Sequence, residues 1–216
     1  MSILITAKTK QPWTQEQSSV IYLVRHGPTI FNAAARWQGQ VDSPLTALGL
    51  RQAAAAGVTL RKNIISDDIA LFSSPLGRAH STAKIIAEKL GKPDKIILDP
   101  RLMEIGMGSW EGLTDYEIEQ EWPNARDGLE RHEWFFHSPD GESFEDMSAR
   151  VQDVLTTIEE HQAQIKIIVS HGVTGRIIRS IYANIPRNEA LKLEVPQDVL
   201  FGLSGNGTIE RIAYNI

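Results

Sequence analysis

Apolar residues fall into short unbroken runs, and between the runs they recur at helical spacing. The run Val20-Ile21-Tyr22-Leu23-Val24 is stopped by Arg25-His26-Gly27-Pro28, which predicts a buried strand feeding a loop. After Pro44, Thr46 is placed to cap a helix through Leu48, Ala53, Ala56 and Leu60, with alanine supplying propensity and the leucines an apolar stripe. The unit then repeats. Residues 69–73 predict a strand, Ser74 an N-cap, Pro75 a first helical position, and Gly91 the close of a helix ending at Leu90, with Arg78 in its first turn. A third short strand is predicted over 96–98. Gly106, Gly108 and Gly112 then mark the stretch from Arg101 as a loop, and that loop carries Glu104. Ser143 with Asp146 has the capping-box pattern for a helix to about His161, and the run from Ile165 to Val169 delivers Ser170-His171-Gly172 to the end of the clearest buried strand. A helix to about Asn184 follows. Residues 199–204 and 208–214 around Gly205-Asn206-Gly207 read as a closing hairpin.

Strands alternating with helices predict an α/β domain of three layers. Its sheet is mostly parallel, with helices on both faces and room for one antiparallel edge strand. At 216 residues the chain accommodates one catalytic domain over 20–216, preceded by an N-terminal extension over 1–19 and including a cap segment over about 113–142. In such sheets ligands bind outside the C-terminal strand ends. Arg25-His26 and His171 occupy two such ends, and Arg78 and Glu104 follow two others, so one crevice can collect all five.

Composition narrows the function classes. A net charge of −5 argues against a general nucleic-acid binder, so any cationic site has to be local. The chain has no cysteine, which removes disulfides, thiolate nucleophiles and thiolate metal sites and fits a reducing compartment. No apolar run reaches the roughly 18 residues of a membrane span, and residues 1–19 lack the pattern of a signal peptide; a cytoplasmic location away from membranes is expected.

Singly, a strand-end histidine, an arginine early in a helix or a loop glutamate is an ordinary structural residue. Together they suit displacement at phosphorus. A neutral imidazole attacks a phosphate dianion without adding charge of its own, provided that its second nitrogen is held protonated by a carbonyl or carboxylate. His26 is the candidate nucleophile. Arg25 and Arg78 offer guanidinium groups to the equatorial oxygens, His171 adds a third positive donor if protonated beside the dianion, and Asn32 adds a neutral donor. With that much positive charge no metal ion or cofactor is expected. The leaving alkoxide needs an acid, for which Glu104 is the first choice and Glu111, in the same segment, the rival.

Leu23-Val24-Arg25-His26-Gly27-Pro28-Thr29 with Asn32 resembles the Arg-His-Gly motif of the histidine phosphatase superfamily, in the branch of cofactor-dependent phosphoglycerate mutase and fructose-2,6-bisphosphatase. Gln38-Gly39 to Asp42, Pro44-Leu45-Thr46, Gly49 and Gln52-Ala53 are similar to the stretch that follows it there. Ser73-Ser74-Pro75-Leu76-Gly77-Arg78-Ala79 resembles the second arginine motif, 101–105 with 108–112 the acid-bearing loop, and Val169-Ser170-His171-Gly172 the second histidine. The resemblance implies a phosphoglycerate mutase-like fold, His26 as the phosphorylated residue, and Glu104 rather than Glu111 as proton donor. It also implies a phosphate and substrate pocket from Arg25, Asn32, Gln38, Gly39, Arg78 and His171. Pro28 departs from the glutamate or glutamine of many relatives at that position and bears on substrate contacts.

Mutase members of this family resemble the chain plus a longer basic lid, which is not evident between Glu104 and His171. Hydrolysis of a small phosphate monoester is therefore favoured. Phosphoglycerate mutase-type transfer and a non-catalytic phospho-ligand module are the alternatives. A metallo-hydrolase is disfavoured because His26 and His171 lack close ligand neighbours. In the cap, Trp122, Trp134, Phe135 and Phe136 are expected to shape an apolar wall, and Arg126, Arg131, His132 and His137 to greet a second acidic group. Oligomeric state is left open, a homodimer included.

Overall fold

The computed structural model describes residues 20–205 and 207–214. The N-terminal extension expected over 1–19 and Asn206 of the closing turn lie outside the described residues. Six strands, β1 (Val20–Arg25), β2 (Ile69–Ser73), β3 (Ile96–Leu98), β4 (Ile165–Ser170), β5 (Val199–Ser204) and β6 (Thr208–Ala213), form one sheet in the order β3-β2-β4-β1-β5-β6. The helices are α1 (Ile30–Ala33), α2 (Ala47–Asn63), α3 (Gly77–Leu90), α4 (Asp115–Glu121), α5 (Phe144–Glu160), α6 (Gly172–Ala183) and α7 (Arg187–Ala190). The three-layer α/β architecture is as predicted.

Strands β3, β2, β4 and β1 run parallel. Strand β5 is antiparallel to β1 and β6 to β5, so the reversed strand is not the edge strand that the sequence suggested. Because β5 already runs against β1, the single reversal of the β5–β6 hairpin returns β6 to the direction of the parallel strands and puts it at the edge. Along β1 the side chains alternate between two cores. Ile21 and Leu23 pack with Met147, Val151 and Ile177, while Tyr22 and Val24 pack with Ala56, Leu60 and Ile86. Burial on both faces is what a parallel sheet covered by helices requires.

Helix α2 is capped as predicted, with Thr46 Oγ1 accepting from the Gly49 amide at 3.0 Å. Its buried face is Gly49, Gln52, Ala53, Ala56, Gly57 and Leu60; Leu60 is buried as expected but Leu48 is exposed, so small residues make up most of the stripe. Those residues let α3 approach closely, since a Cβ on Gly57 would lie 2.8 Å from Lys89 Cβ. Helix α3 begins at Gly77, with neither Ser74 as its cap nor Pro75 inside it. Its N-terminus is capped from a distance by Asp42, which accepts from the amides of Gly77 at 2.5 Å and Arg78 at 3.3 Å. Gly91 closes the helix in the left-handed conformation, as expected. Helices α1, α4 and α7 were not predicted because they are too short for periodicity to register. The capping boxes Thr29/Asn32 and Thr114/Glu117 were nonetheless readable signals for α1 and α4. Among the described residues no helix is long and apolar enough to cross a membrane.

Candidate active site

The ends of the parallel strands lie level. The His26 amide bonds to the Ser170 carbonyl at 3.0 Å and the Ser74 amide to the Val169 carbonyl at 3.0 Å, so the residues following β1, β2 and β4 share one edge. A cavity of about 300 Å³ opens there, lined on its inner side by Arg25, His26, Asn32, Arg78 and Glu104. His26 is 3 % exposed and its ring stands edge-on to that of His171, with centroids 5.1 Å apart.

His26 Nδ1 contacts the Gly27 carbonyl at 2.8 Å. A carbonyl only accepts, so Nδ1 carries the proton and Nε2 keeps its lone pair, the tautomer that nucleophilic attack requires. Burial, then the charges of Arg25 and Arg78, hold the His26 pKa well below its ordinary value, against the opposing bond to Gly27. The ring is neutral at cellular pH. His171 is lowered well below the ordinary value too, by burial first and then by Arg78, His26 and Arg25. The protein's own groups thus hold His171 neutral, and its expected role as a third cation depends on a dianion beside it. Its Nε2 meets Ser74 Oγ at 2.8 Å, which explains why Ser74 is not spent on capping α3.

Arg78 is 1 % exposed; it donates to the carbonyls of Gly39 at 2.6 Å and Val41 at 2.9 Å, and lies 3.4 Å from Asp42. Arg25 donates to the Val195 carbonyl, and burial lowers its pKa to about 10, against the raising influence of Glu104. Both remain cationic. The Nε atoms of Arg25 and Arg78 and Nδ1 of His171 are buried without a hydrogen-bond partner among the described residues. Buried polar atoms rarely stay unpaired; the two arginine Nε–H groups are donors available to an anion, and Nδ1 of His171, which is not among the cavity-lining residues, joins them when its Nε2 accepts from the Ser74 hydroxyl.

Glu104 sits over the N-terminus of α6. Its Oε1 accepts from the Ile105 amide at 3.2 Å, the Thr174 amide at 3.0 Å and Thr174 Oγ1 at 3.0 Å, and Oε2 from the Val173 amide at 3.1 Å. Its loop is clamped by Arg150, which donates to the carbonyls of Arg101 at 2.8 Å, Met103 at 2.9 Å and Glu104 at 3.2 Å while paired with Glu142 at 2.5 Å. Glu111, the rival, accepts from the amides of Gln40, Val41 and Met107 and ties two loops together; it is not among the cavity-lining residues. Asn32 and Gln38 line the cavity with their amide oxygens engaged, by the Thr29 amide at 3.1 Å and Thr29 Oγ1 at 3.0 Å, so their NH₂ groups are the free donors. Gly39 lines it in the left-handed region (φ +53), where a Cβ would lie 2.3 Å from Glu111 Oε1.

Sequence reasoning missed Arg36, Trp37 and Asp115, which line the outer half together with Arg131 and Phe135. Trp134 does not line it but stacks on Trp37 with centroids 6.4 Å apart, and His132 and His137 do not line it either. Of the four basic residues expected to receive a second acidic group, the two arginines already have acidic neighbours: Arg126 meets Asp115 at 2.7 Å and Glu119 at 3.3 Å, and Arg131 meets Asp115 at 3.6 Å. Also unforeseen is the strap 193–197, whose Leu193, Glu194 and Val195 carbonyls receive Arg176, Arg179 and Arg25 in turn. Gln197 of the same strap donates to the His26 carbonyl at 3.2 Å. Among the described residues no three His, Asp or Glu side chains group as a metal site.

Residues 21–204 match the profile of the histidine phosphatase superfamily, branch 1. Proteins named "Probable phosphoglycerate mutase GpmB" from Yersinia pestis and Yersinia pseudotuberculosis are 36 % identical over 176 residues, covering 81 % of this chain and 80 % of theirs. A mycobacterial glucosyl-3-phosphoglycerate phosphatase, solved with VO3, superposes with a TM-score of 0.75 at 27 % identity, covering 92 % of this chain and 99 % of that one. The alpha-ribazole phosphatase from Shigella flexneri superposes with a TM-score of 0.74 at 25 % identity, over 91 % of this chain and 96 % of that one.

Proposed function

Because the chain belongs to branch 1 of the histidine phosphatase superfamily, we propose that it is a phosphatase that hydrolyses a small phosphate monoester through a phosphohistidine on His26. One observation carries this reading: the Gly27 carbonyl holds the proton on Nδ1, leaving a neutral imidazole with Nε2 free among buried arginine donors. In the first step Nε2 attacks phosphorus, the bond to the ester oxygen breaks, and the carboxyl of Glu104 gives its proton to the departing alkoxide. Oε2, which receives one hydrogen bond against three at Oε1, is the oxygen that carries that proton. In the second step the Glu104 carboxylate takes a proton from water, the resulting hydroxide attacks phosphorus, and the N–P bond breaks to release phosphate and restore both residues.

Arg25 and Arg78 stabilise charge on the transferred group's oxygens through fixed donors. His171 contributes its Nδ1, and Asn32 and Gln38 their amide NH₂ groups. The relatives' name favours a second reading, transfer between hydroxyls of phosphoglycerates. The paired charges at the outer cavity speak for hydrolysis, since a mutase has to hold a carboxylate there. A cytoplasmic setting is proposed with it, from the cysteine-free composition. The test is to trap the phosphoenzyme: label from a phosphate ester is expected on His26, and its absence would count against the reading.

A further inference from the structure

Resting on that phosphatase reading, we infer that the outer half of the cavity selects an uncharged leaving alcohol with an apolar face and discriminates against one bearing a second anionic group. At about 300 Å³ the cavity holds some ten waters' worth of space at roughly 30 Å³ each, well beyond a phosphate group. The leaving group therefore also lies inside it. Trp37 and Phe135 supply the aromatic carbon of the outer half, while Ile105, Met107 and Val173 line the cavity almost wholly buried. The one polar atom of the Trp37 ring is committed, since its Nε1 donates to Asp115 Oδ1 at 2.8 Å. Its ring lies 5.0 Å from that of Phe135, and the two form a continuous aromatic wall.

Three cations at this end, Arg36, Arg126 and Arg131, are already matched by acidic side chains. Arg36 binds both oxygens of Glu117, at 2.7 and 3.1 Å, and the Gly112 carbonyl at 2.7 Å. Arg131 and Arg126 share Asp115, and Asp115 itself faces the cavity. A carboxylate or second phosphate arriving here meets that carboxylate and has to displace an existing ion pair. Arg176, the remaining nearby cation, directs its Nε to the Leu193 carbonyl at 2.7 Å, and its guanidinium lies 5.9 Å from the centre of the Phe135 ring. Aromatic carbon among mostly paired charges suits a flat or apolar face.

The test is kcat/KM on three alkyl esters whose alkoxides need the same protonation: ethyl phosphate, phenethyl phosphate and phosphoglycerate. Phenethyl phosphate is expected to exceed each of the others by about tenfold or more, the discrimination typical of a hydrophobic pocket. Trp37→Ala and Phe135→Leu each bring the phenethyl-to-ethyl ratio toward one. If Trp37→Ala fails to fold, Phe135→Leu decides. Asp115→Asn, which frees Arg131, raises phosphoglycerate turnover several-fold. The inference is overturned if wild type prefers phosphoglycerate, or handles all three alike, or keeps the phenethyl preference in both aromatic variants. Turnover of none of the esters, or turnover that survives His26→Ala, overturns the phosphatase reading instead.

Discussion

At the inner end of the cavity, among the described residues, Arg25 and Arg78 have one acidic side chain in salt-bridge reach between them, Asp42 at 3.4 Å from Arg78. At the outer end Arg36, Arg126 and Arg131 share Glu117, Asp115 and Glu119. Arg78 is the most deeply buried of these arginines, at 1 % exposed, whereas the outer ones run from 9 % side-chain exposure at Arg126 to 78 % at Arg131. Holding a guanidinium dry without a matching acid is unfavourable, and the inner end tolerates it by spending the arginines on backbone carbonyls while leaving an Nε of each unpartnered. The same residue type therefore does two jobs. Inside, it is kept available to a transferred anion; outside, it is neutralised and shapes a surface.

The largest effect that would break this contrast is expected at Glu104. Glu104→Gln keeps an acceptor oxygen over α6 but has no proton to give. Leaving-group release in a single turnover, which reads the first step alone, should fall about 10³-fold for alkyl phosphates and by no more than about tenfold for p-nitrophenyl phosphate, whose leaving group needs no acid. Equal losses on both esters would remove Glu104 from the role of proton donor. Next is Arg78→Lys, which keeps the charge but not the planar fork. A loss of about 10²-fold in kcat, measured well below the variant's own melting temperature, is expected, and full activity would show that point charge suffices at the inner end.

The smallest effect is on stability against pH. Both His26 and His171 have folded pKa values well below 6.5. Below about pH 6.5 the unfolded chain binds protons on these rings and the folded protein does not, so stability is full above that pH and declines as pH falls toward the folded values. Denaturant midpoints should therefore drop between about pH 7 and 5, and less steeply in His171→Asn. An identical slope in the variant would mean that His171 does not titrate as its burial implies.

The contrast also separates what was legible in the sequence from what was not. His26, Arg25 and His171 sit directly after buried β-branched runs, so period and punctuation alone bring them to one sheet edge. Arg78 and Glu104 follow from the same logic, one helix turn or one loop beyond a strand. What escaped has no local signature. Asp42 caps a helix that begins 35 residues later, Glu104 caps one almost 70 residues later, and Gln197 reaches His26 across 171 positions. Ser74 was misread as a cap because its local pattern is right and only tertiary structure turns its hydroxyl to His171. Leu48 was assigned to the buried stripe because leucine outweighs glycine in a pattern count. The packing instead selects the small residues that allow α2 and α3 to close together. The outer residues Arg36, Trp37 and Asp115 look like ordinary surface in sequence and acquire meaning only by facing one another.

The central claim is tested most directly by quenching the enzyme during turnover of a radiolabelled phosphate ester and mapping the label. The account predicts one acid-labile, base-stable phosphoryl group per active protein, on His26, absent in His26→Ala. Label on another residue, or an unlabelled wild-type enzyme at full turnover, would contradict it.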